Sequence, residues 1–322
     1  MTRVAILDDW QAVARQSADW SALAARAELV FFADPLGSQD ETAAALADFD
    51  IILTMRERTP FPASLIARLP KLRMIGITGA ANASLDMIAC AKQGITVCNT
   101  GRVSRGAFAA AELALGLLLS AARAIPAADA AMRAGGFQHG VPVGIGLAGK
   151  TLGIVGLGRL GARMARYGQA LEMNIIAWSQ NLTDAQAQEA GATLVSKEAL
   201  FATSDAISLH MVLSPRSQGI VGADEIGRMK RGAILINTSR GPLIDESALI
   251  AAVEAGNILA ALDVFDQEPL ATNHPLRTAG HTVLTPHIGY ATAETWRAWY
   301  PQSADNAMAF LDGKPVRVIT PG

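Results

Sequence analysis

Two α/β domains, each built on a doubly wound parallel sheet, are what this sequence predicts, and three observations carry the prediction. Short aliphatic runs alternate with helix-like spacing along nearly the whole chain, a glycine-rich turn follows one of these runs, and of 322 residues 51% are hydrophobic but only 5% aromatic. Strands alternating with helices at short spacing form parallel βαβ units, and a core this poor in aromatics is filled by alanine-rich helices on aliphatic strands. A chain of this length makes about two domains, each able to bury its own core.

In the first domain the candidate strands are residues 4–7, 29–32, 51–54, 74–77 and 96–98, with helix-like spacing between them, as in Leu65, Ile66 and Leu69. The segment Gly76-Ile77-Thr78-Gly79-Ala80-Ala81-Asn82-Ala83 follows a strand end. Its small residues could leave backbone N–H groups free to hold an anion; an ordinary strand-to-helix turn reads equally well. A helix over about residues 107–124 is apolar nearly all round, through Phe108, Leu113, Leu115, Leu117, Leu118 and Leu119. It should be buried on more than one side, as a helix joining domains or subunits. Residues 135–149 are glycine-rich and read as a surface connection.

Strand candidates then recur at residues 151–155, 174–178, 206–209, 233–236, 258–262 and 282–284. The first runs into Gly156-Leu157-Gly158-Arg159-Leu160-Gly161 and a helix reaching residue 170. Gly156 permits a tight turn, Gly158 a close backbone approach to a pyrophosphate, and Gly161 close packing of helix on strand. Such turns also serve plain connections. Six strands with crossover helices make this one the fingerprint of a dinucleotide-binding domain, with Arg159 and Leu160 lining the cofactor. Residues 291–310 read as a tail helix and 314–319 as a short strand or extended arm returning to the first domain. The expected division is therefore residues 1–100 with 290–322, around an inserted domain of residues 101–289, with a hinge and a cleft.

Composition excludes several function classes. A net charge of -2 and a pI near 6.2 give no broad basic field for nucleic acid. Cys90 and Cys98 have no paired CxxC spacing, so neither a disulfide framework nor a metal site is expected. The first seven residues run straight into Asp8 and Asp9, too short and acidic for a signal peptide, and the most apolar run contains Glu112 and is shorter than the roughly 20 residues of a membrane span. The expectation is a soluble cytoplasmic protein without a membrane partner.

Ligands of open parallel sheets bind beyond the carboxyl ends of the strands. There stand Asn237-Thr238-Ser239-Arg240-Gly241 after one strand, Asp263 and Glu268-Pro269 after the next, and Thr285-Pro286-His287-Ile288-Gly289 after the last. An arginine, carboxylates and a histidine from successive strands suit acid–base chemistry beside an anionic substrate. Taken singly, Arg240 could be a solvated strand end, Glu268 the opening of a turn and His287 a turn residue; their joint placement argues otherwise. Of the other histidines, His139, His274 and His281 lie in connections, and His210 follows a strand on the cofactor side, where it is expected to line the cofactor pocket or serve the core. His287 remains the best acid/base, since imidazole titrates near neutrality.

At these residues the sequence resembles the D-isomer-specific 2-hydroxyacid dehydrogenase family, which includes glyoxylate/hydroxypyruvate reductases and phosphoglycerate dehydrogenases. The resemblance spans almost the whole chain, through the glycine fingerprint, Asn237-Thr238-Ser239-Arg240-Gly241, Leu262-Asp263-Val264-Phe265-Asp266-Gln267-Glu268-Pro269 and Thr285-Pro286-His287-Ile288-Gly289. It implies a Rossmann nucleotide-binding domain inserted into a flavodoxin-like substrate domain, and a homodimer. It also implies that Arg240 binds the substrate carboxylate and keto oxygen, that Glu268 orients His287, and that Asp263 holds the nicotinamide carboxamide, with Thr238 and Gly289 nearby. The backbone of Gly79, Ala80 and Ala81 would hold the substrate carboxylate. The implied reaction is reversible hydride transfer between NAD(P)H and C2 of a 2-oxo acid, with His287 giving a proton to the keto oxygen.

The sequence departs from the family pattern in three places. Residues 80–84 lack the usual acidic and asparagine residues before Asp86, which leaves substrate choice open. Tyr290 replaces a small residue, and Trp296, Trp299 and Tyr300 follow it, either shaping a pocket for a larger substrate or packing the tail helix. The carboxylate that holds the ribose in NAD enzymes is missing at Ser179 and Gln180. A 2′-phosphate would meet no repulsion there, which tilts the expectation slightly toward NADPH, although no arginine stands there to attract it. A second reading, a nucleotide-sensing binding protein of the same fold, leaves Arg240, Glu268 and His287 without a purpose.

Overall fold

Five short strands, β1 (Thr2–Ile6), β2 (Ala27–Phe31), β3 (Ile51–Leu53), β4 (Met74–Ile77) and β5 (Thr96–Asn99), form one parallel sheet in the order β2-β1-β3-β4-β5. The computed structural model describes residues 1–101 and 108–321. The sheet belongs to a unit made of Met1–Ala107 and Ala291–Gly322. β3 and β4 are buried throughout, as expected of strands covered on both faces. Their core is aliphatic, with Leu46, Ile52, Leu65, Ile66 and Ile75 at its centre. The returning segment supplies the helix Ala293–Leu311, then an extended arm that runs antiparallel to β5 through a bridge between Cys98 and Val318. That arm forms no full strand. Burial pushes both cysteine thiols up to about 11, so they are inert core residues.

The second unit, Phe108–Tyr290, carries a seven-stranded parallel sheet. Its strands are β6 (Thr151–Val155), β7 (Asn174–Trp178), β8 (Thr193–Leu194), β9 (Ala206–Leu209), β10 (Ala233–Asn237), β11 (Ile258–Leu262) and β12 (Thr282–Leu284). The order β12-β11-β10-β9-β6-β7-β8 reverses direction between β6 and β9, which makes that crevice the topological switch point of a doubly wound sheet. One strand more is present than the six expected from sequence. β8 is only two residues long, pairing Ile176 with Thr193 and Ala177 with Leu194, and so leaves no aliphatic run to read.

The long apolar helix also differs from expectation. It spans Ala109–Ala122, and residue 107, where it was expected to begin, lies outside the described residues. One broad stripe through Ala114, Leu117, Leu118 and Ala121 is buried, whereas Glu112 and Gly116 are exposed. Ala124 takes the left-handed conformation (φ 48°), and a second helix, Ile125–Arg133, leaves at a 66° bend. Among the described residues no single helix is long and apolar enough to cross a membrane.

Candidate active site

Two of the three fingerprint glycines are required by the fold itself. Gly156 has φ +93°, and a Cβ there would lie 2.7 Å from the carbonyl oxygen of His210. A Cβ on Gly161 would lie 2.1 Å from the carbonyl oxygen of Gly156. Gly158, at the N-cap of the helix Arg159–Ala170, meets nothing within 4 Å. Open space before a glycine at a twelve-residue helix N-terminus fits a pyrophosphate, which the unpaired N–H groups and helix dipole favour. Leu160 is half-buried. Arg159 and Arg163 flank the Phe108 ring, 5.7 and 3.8 Å from its centroid.

Beyond β7, the carbonyl of Ser179 accepts the N–H of Leu182, and Gln180 is exposed. Lys197 lies 5.7 Å from the Trp178 ring and pairs with Glu225 at 2.9 Å, so its charge is already balanced. At the end of β9, His210 shares a 2.9 Å hydrogen bond between Nε2 and Ser208 Oγ. Burial pushes its imidazole down to about 4, which keeps it neutral near pH 7. Residues i and i+2 of a strand share a face, and here that alternation aligns the pair.

The ends of β10, β11 and β12 converge. Asn237 shapes the first turn, its amide donating to the Arg240 carbonyl at 2.8 Å and its side-chain oxygen accepting the Ser239 N–H at 3.0 Å; Thr238 between them is half-buried. Arg240 Nη1 donates to the Ser239 carbonyl at 2.7 Å. Gly241 lets this turn press on the next one, since a Cβ there would lie 2.1 Å from the main-chain carbon of Phe265. From that second turn Glu268 accepts the Phe265 N–H on Oε1 at 2.9 Å and meets His287 Nδ1 on Oε2 at 2.5 Å. His287 is a non-glycine residue at φ +53°, an uncommon conformation that surrounding contacts must hold.

Asp263 supplies those contacts. Its Oδ1 accepts the Thr285 hydroxyl at 2.6 Å and the Ile288 N–H at 2.8 Å, its Oδ2 accepts the Gly289 N–H at 2.8 Å, and its carbonyl accepts the His287 N–H at 2.8 Å. Burial raises the Asp263 carboxyl above its ordinary range, against these hydrogen bonds and the His287 charge. The Tyr290 ring stands edge-on to the His287 imidazole, centroids 5.8 Å apart. His274 instead caps the Leu276 N–H and faces Glu246, and His281 lies beside Gly256.

In the first unit, the loop after β4 is tied down on both sides. The Gly79 N–H donates to Thr100 Oγ1 at 2.8 Å, Asn99 donates to the Ala80 carbonyl at 3.2 Å, and Asn82 donates to the Arg56 carbonyl at 2.7 Å. Gly79 is thereby committed, and of the three expected backbone donors Ala80 and Ala81 are the two to consider. Trp296, Trp299 and Tyr300 are buried, with Trp296 against both others and Tyr300 against Trp20. They pack the tail helix.

Residues 115–289 match the profile of the family described as D-isomer specific 2-hydroxyacid dehydrogenase, NAD binding domain. The chain belongs to that family. It is 38% identical to a glyoxylate reductase of Aeropyrum pernix over 78% of this chain and 76% of that protein. It is 34% identical to a D-3-phosphoglycerate dehydrogenase of Archaeoglobus fulgidus over 87% of this chain and 53% of the other, so it spans about half the length of that relative. The crystal structure of phosphoglycerate oxidoreductase from Vibrio cholerae o395 superposes with a TM-score of 0.90 at 32% identity, covering 97% of this chain and all of that one.

Within this family member, Arg240, Asp263, Glu268, His287 and Gly289 stand on neighbouring strand ends, and Gly156, Gly158, Gly161 and His210 gather at the switch point. Two features escaped the sequence reading. The Asp263 carboxylate braces the His287 turn, and Arg56, after β3, lies against Gly79. Only the β3–β4 pairing, which sets residues 23 positions apart side by side, signals the second.

Proposed function

We propose that this chain reduces a 2-oxo acid to the D-2-hydroxy acid, using NAD(P)H, and acts as a homodimer. The observation that carries the reading is the His287–Glu268 pair, held at 2.5 Å on the strand-end edge that also carries Arg240. A bound nicotinamide would supply hydride to C2 of the substrate. With Nδ1 engaged by Glu268, His287 has Nε2 left to give a proton to the keto oxygen, and the carboxylate steadies the ring's orientation and charge. Arg240 binds the substrate carboxylate and offsets charge growing on the keto oxygen. Gly158 and the first turn of its helix hold the pyrophosphate, and Asp263 serves the nicotinamide carboxamide. In the oxidative direction the same imidazole takes the proton back.

The neutral Ser179 and Gln180 leave NADPH slightly favoured over NADH. The test is a panel of glyoxylate, hydroxypyruvate and larger 2-oxo acids with each cofactor, on the native chain and on His287→Ala. Turnover lost in the variant with reduced-cofactor binding retained is the expected result. Cofactor binding without turnover of any acid by the native chain would favour a nucleotide sensor instead.

A further inference from the structure

We propose that Tyr290 is a positioning residue for the proton donor, its ring giving the His287 imidazole a second restraint that Glu268 alone does not supply. The inference rests on the reading of His287 as the acid/base. Glu268 grips the imidazole at one atom, Nδ1, from the turn after β11. A ring pinned at one atom can still rock about that hydrogen bond, and rocking moves Nε2, on the far side of the imidazole, more than it moves Nδ1. Proton transfer depends on where Nε2 points, and a second contact away from the hydrogen bond removes this freedom.

Tyr290 supplies that contact from the turn after β12. Its ring meets the imidazole at a centroid distance of 5.8 Å with the planes 78° apart, an edge-to-face arrangement that a negative ring face and a positive ring edge favour. The main chain between the two residues is tied to one anchor. Asp263 accepts the His287 N–H on its carbonyl and the Ile288 and Gly289 N–H groups on its carboxylate. Gly289 is buried, and a Cβ there would lie 3.0 Å from Asp263 Oδ2 and 3.4 Å from Ala110 Cβ, so the chain entering Tyr290 has little room to shift. The Tyr290 hydroxyl oxygen is shielded from solvent, and the residue has a further interaction besides that with His287. The ring is therefore an anchored wall. Where the family pattern has a small residue, this chain places an aromatic ring against the imidazole.

The test measures kcat with the best 2-oxo acid of the panel and the preferred reduced cofactor. Tyr290→Ala should lower kcat by about tenfold and leave the Kd of the reduced cofactor within about twofold of native. Tyr290→Phe, which keeps the ring, should restore kcat. Tyr290→Leu, which fills space without an aromatic face, should fall between and replaces the alanine variant if that one does not fold. In a His287→Ala background the same change should have no further effect, because the ring then has nothing to position. A Tyr290→Ala kcat close to native, no recovery in Tyr290→Phe, or equal losses with and without the His287 imidazole would overturn the proposal. The imidazole is also read directly. The chain has five histidines, so with histidine labelled at Cε1 with carbon-13, the His287 resonance is the one that His287→Ala removes. Its order parameter should fall in Tyr290→Ala and hold in Tyr290→Phe; equal order in both would overturn the restraint. This readout needs no turnover, so it decides the role of Tyr290 even where no acid reacts or His287→Ala keeps its activity, results that would instead overturn the reading of His287 as the acid/base.

Discussion

The carbonyl of Asp263 accepts the N–H of His287 at 2.8 Å, while the Asp263 carboxylate accepts donors from residues 285, 288 and 289 around it. One buried side chain thus fixes the turn that holds His287 at φ +53°. Asn in its place has a single acceptor oxygen and an NH2 that cannot accept the Gly289 N–H. Asp263→Asn should lower kcat by about 100-fold through misplacement of the imidazole and cost about 1–3 kcal/mol of stability from the stranded donor. Steady-state kinetics alongside denaturant unfolding checks both; a kcat close to the native value would show that the turn holds without the carboxylate.

His287→Ala should reduce turnover by about 10²–10⁴-fold, the range of a lost general acid. Glu268→Gln keeps a partner for Nδ1 but removes the carboxylate that meets it at 2.5 Å. It should lower kcat, by less than His287→Ala does, through looser orientation of the ring. A Glu268→Gln kcat equal to the native one would separate Glu268 from the placement of His287.

Much of this fold could be read from the chain, for identifiable reasons. The strands β1, β3, β4, β6, β9 and β11 are aliphatic runs bounded by turns, and the glycine fingerprint has a steric purpose at Gly156 and Gly161 that single residues reveal. What could not be read depends on partners far apart in sequence. The end of the apolar helix near residue 124 was legible, but the left-handed turn at Ala124 and the second helix, Ile125–Arg133, were not. The Asp263 brace joins a carboxylate to main-chain groups 25 and 26 residues on, which leave no side-chain pattern. Arg56 meets Gly79 only because β3 and β4 are neighbours.

Cofactor choice should follow the residue after β7. A carboxylate at Ser179 would accept the ribose hydroxyls and repel a 2′-phosphate. Ser179→Asp should therefore move the ratio of kcat/KM for NADH over NADPH upward by about tenfold or more. A native enzyme that already prefers NADH strongly would sink the slight preference assigned to NADPH.

The proposed dimer has a testable location. The helix Ile125–Arg133 has no buried residue, yet helices this short are marginal unless packed on something. Exposed Met132, Phe137 and Val143 follow on the same stretch. A second copy of the chain is the simplest cover, through a symmetric interface. Phe137→Glu combined with Met132→Glu should convert the dimer to monomer in sedimentation velocity; a dimer that survives both changes would place the interface elsewhere.

Two buried groups give stability opposite dependences on pH. His210 has its pKa lowered by burial to about 4, below the unfolded value, so between about pH 6.5 and 4 the unfolded chain takes up a proton that the folded chain refuses. Stability from this group is present above pH 6.5 and falls by about 3 kcal/mol as pH drops to 4. Asp8 has its pKa raised by burial to about 6, so over about pH 4 to 6 the folded chain keeps a proton that the unfolded chain has released. Its contribution is favourable at low pH and declines as pH rises through 6, partly offsetting His210. Asp8→Asn should therefore make acid destabilisation steeper, and His210→Asn should make it shallower. Denaturant midpoints between pH 7 and 4.5 read the two slopes, and a His210→Asn slope equal to the native one would mean that the imidazole is protonated in the folded chain.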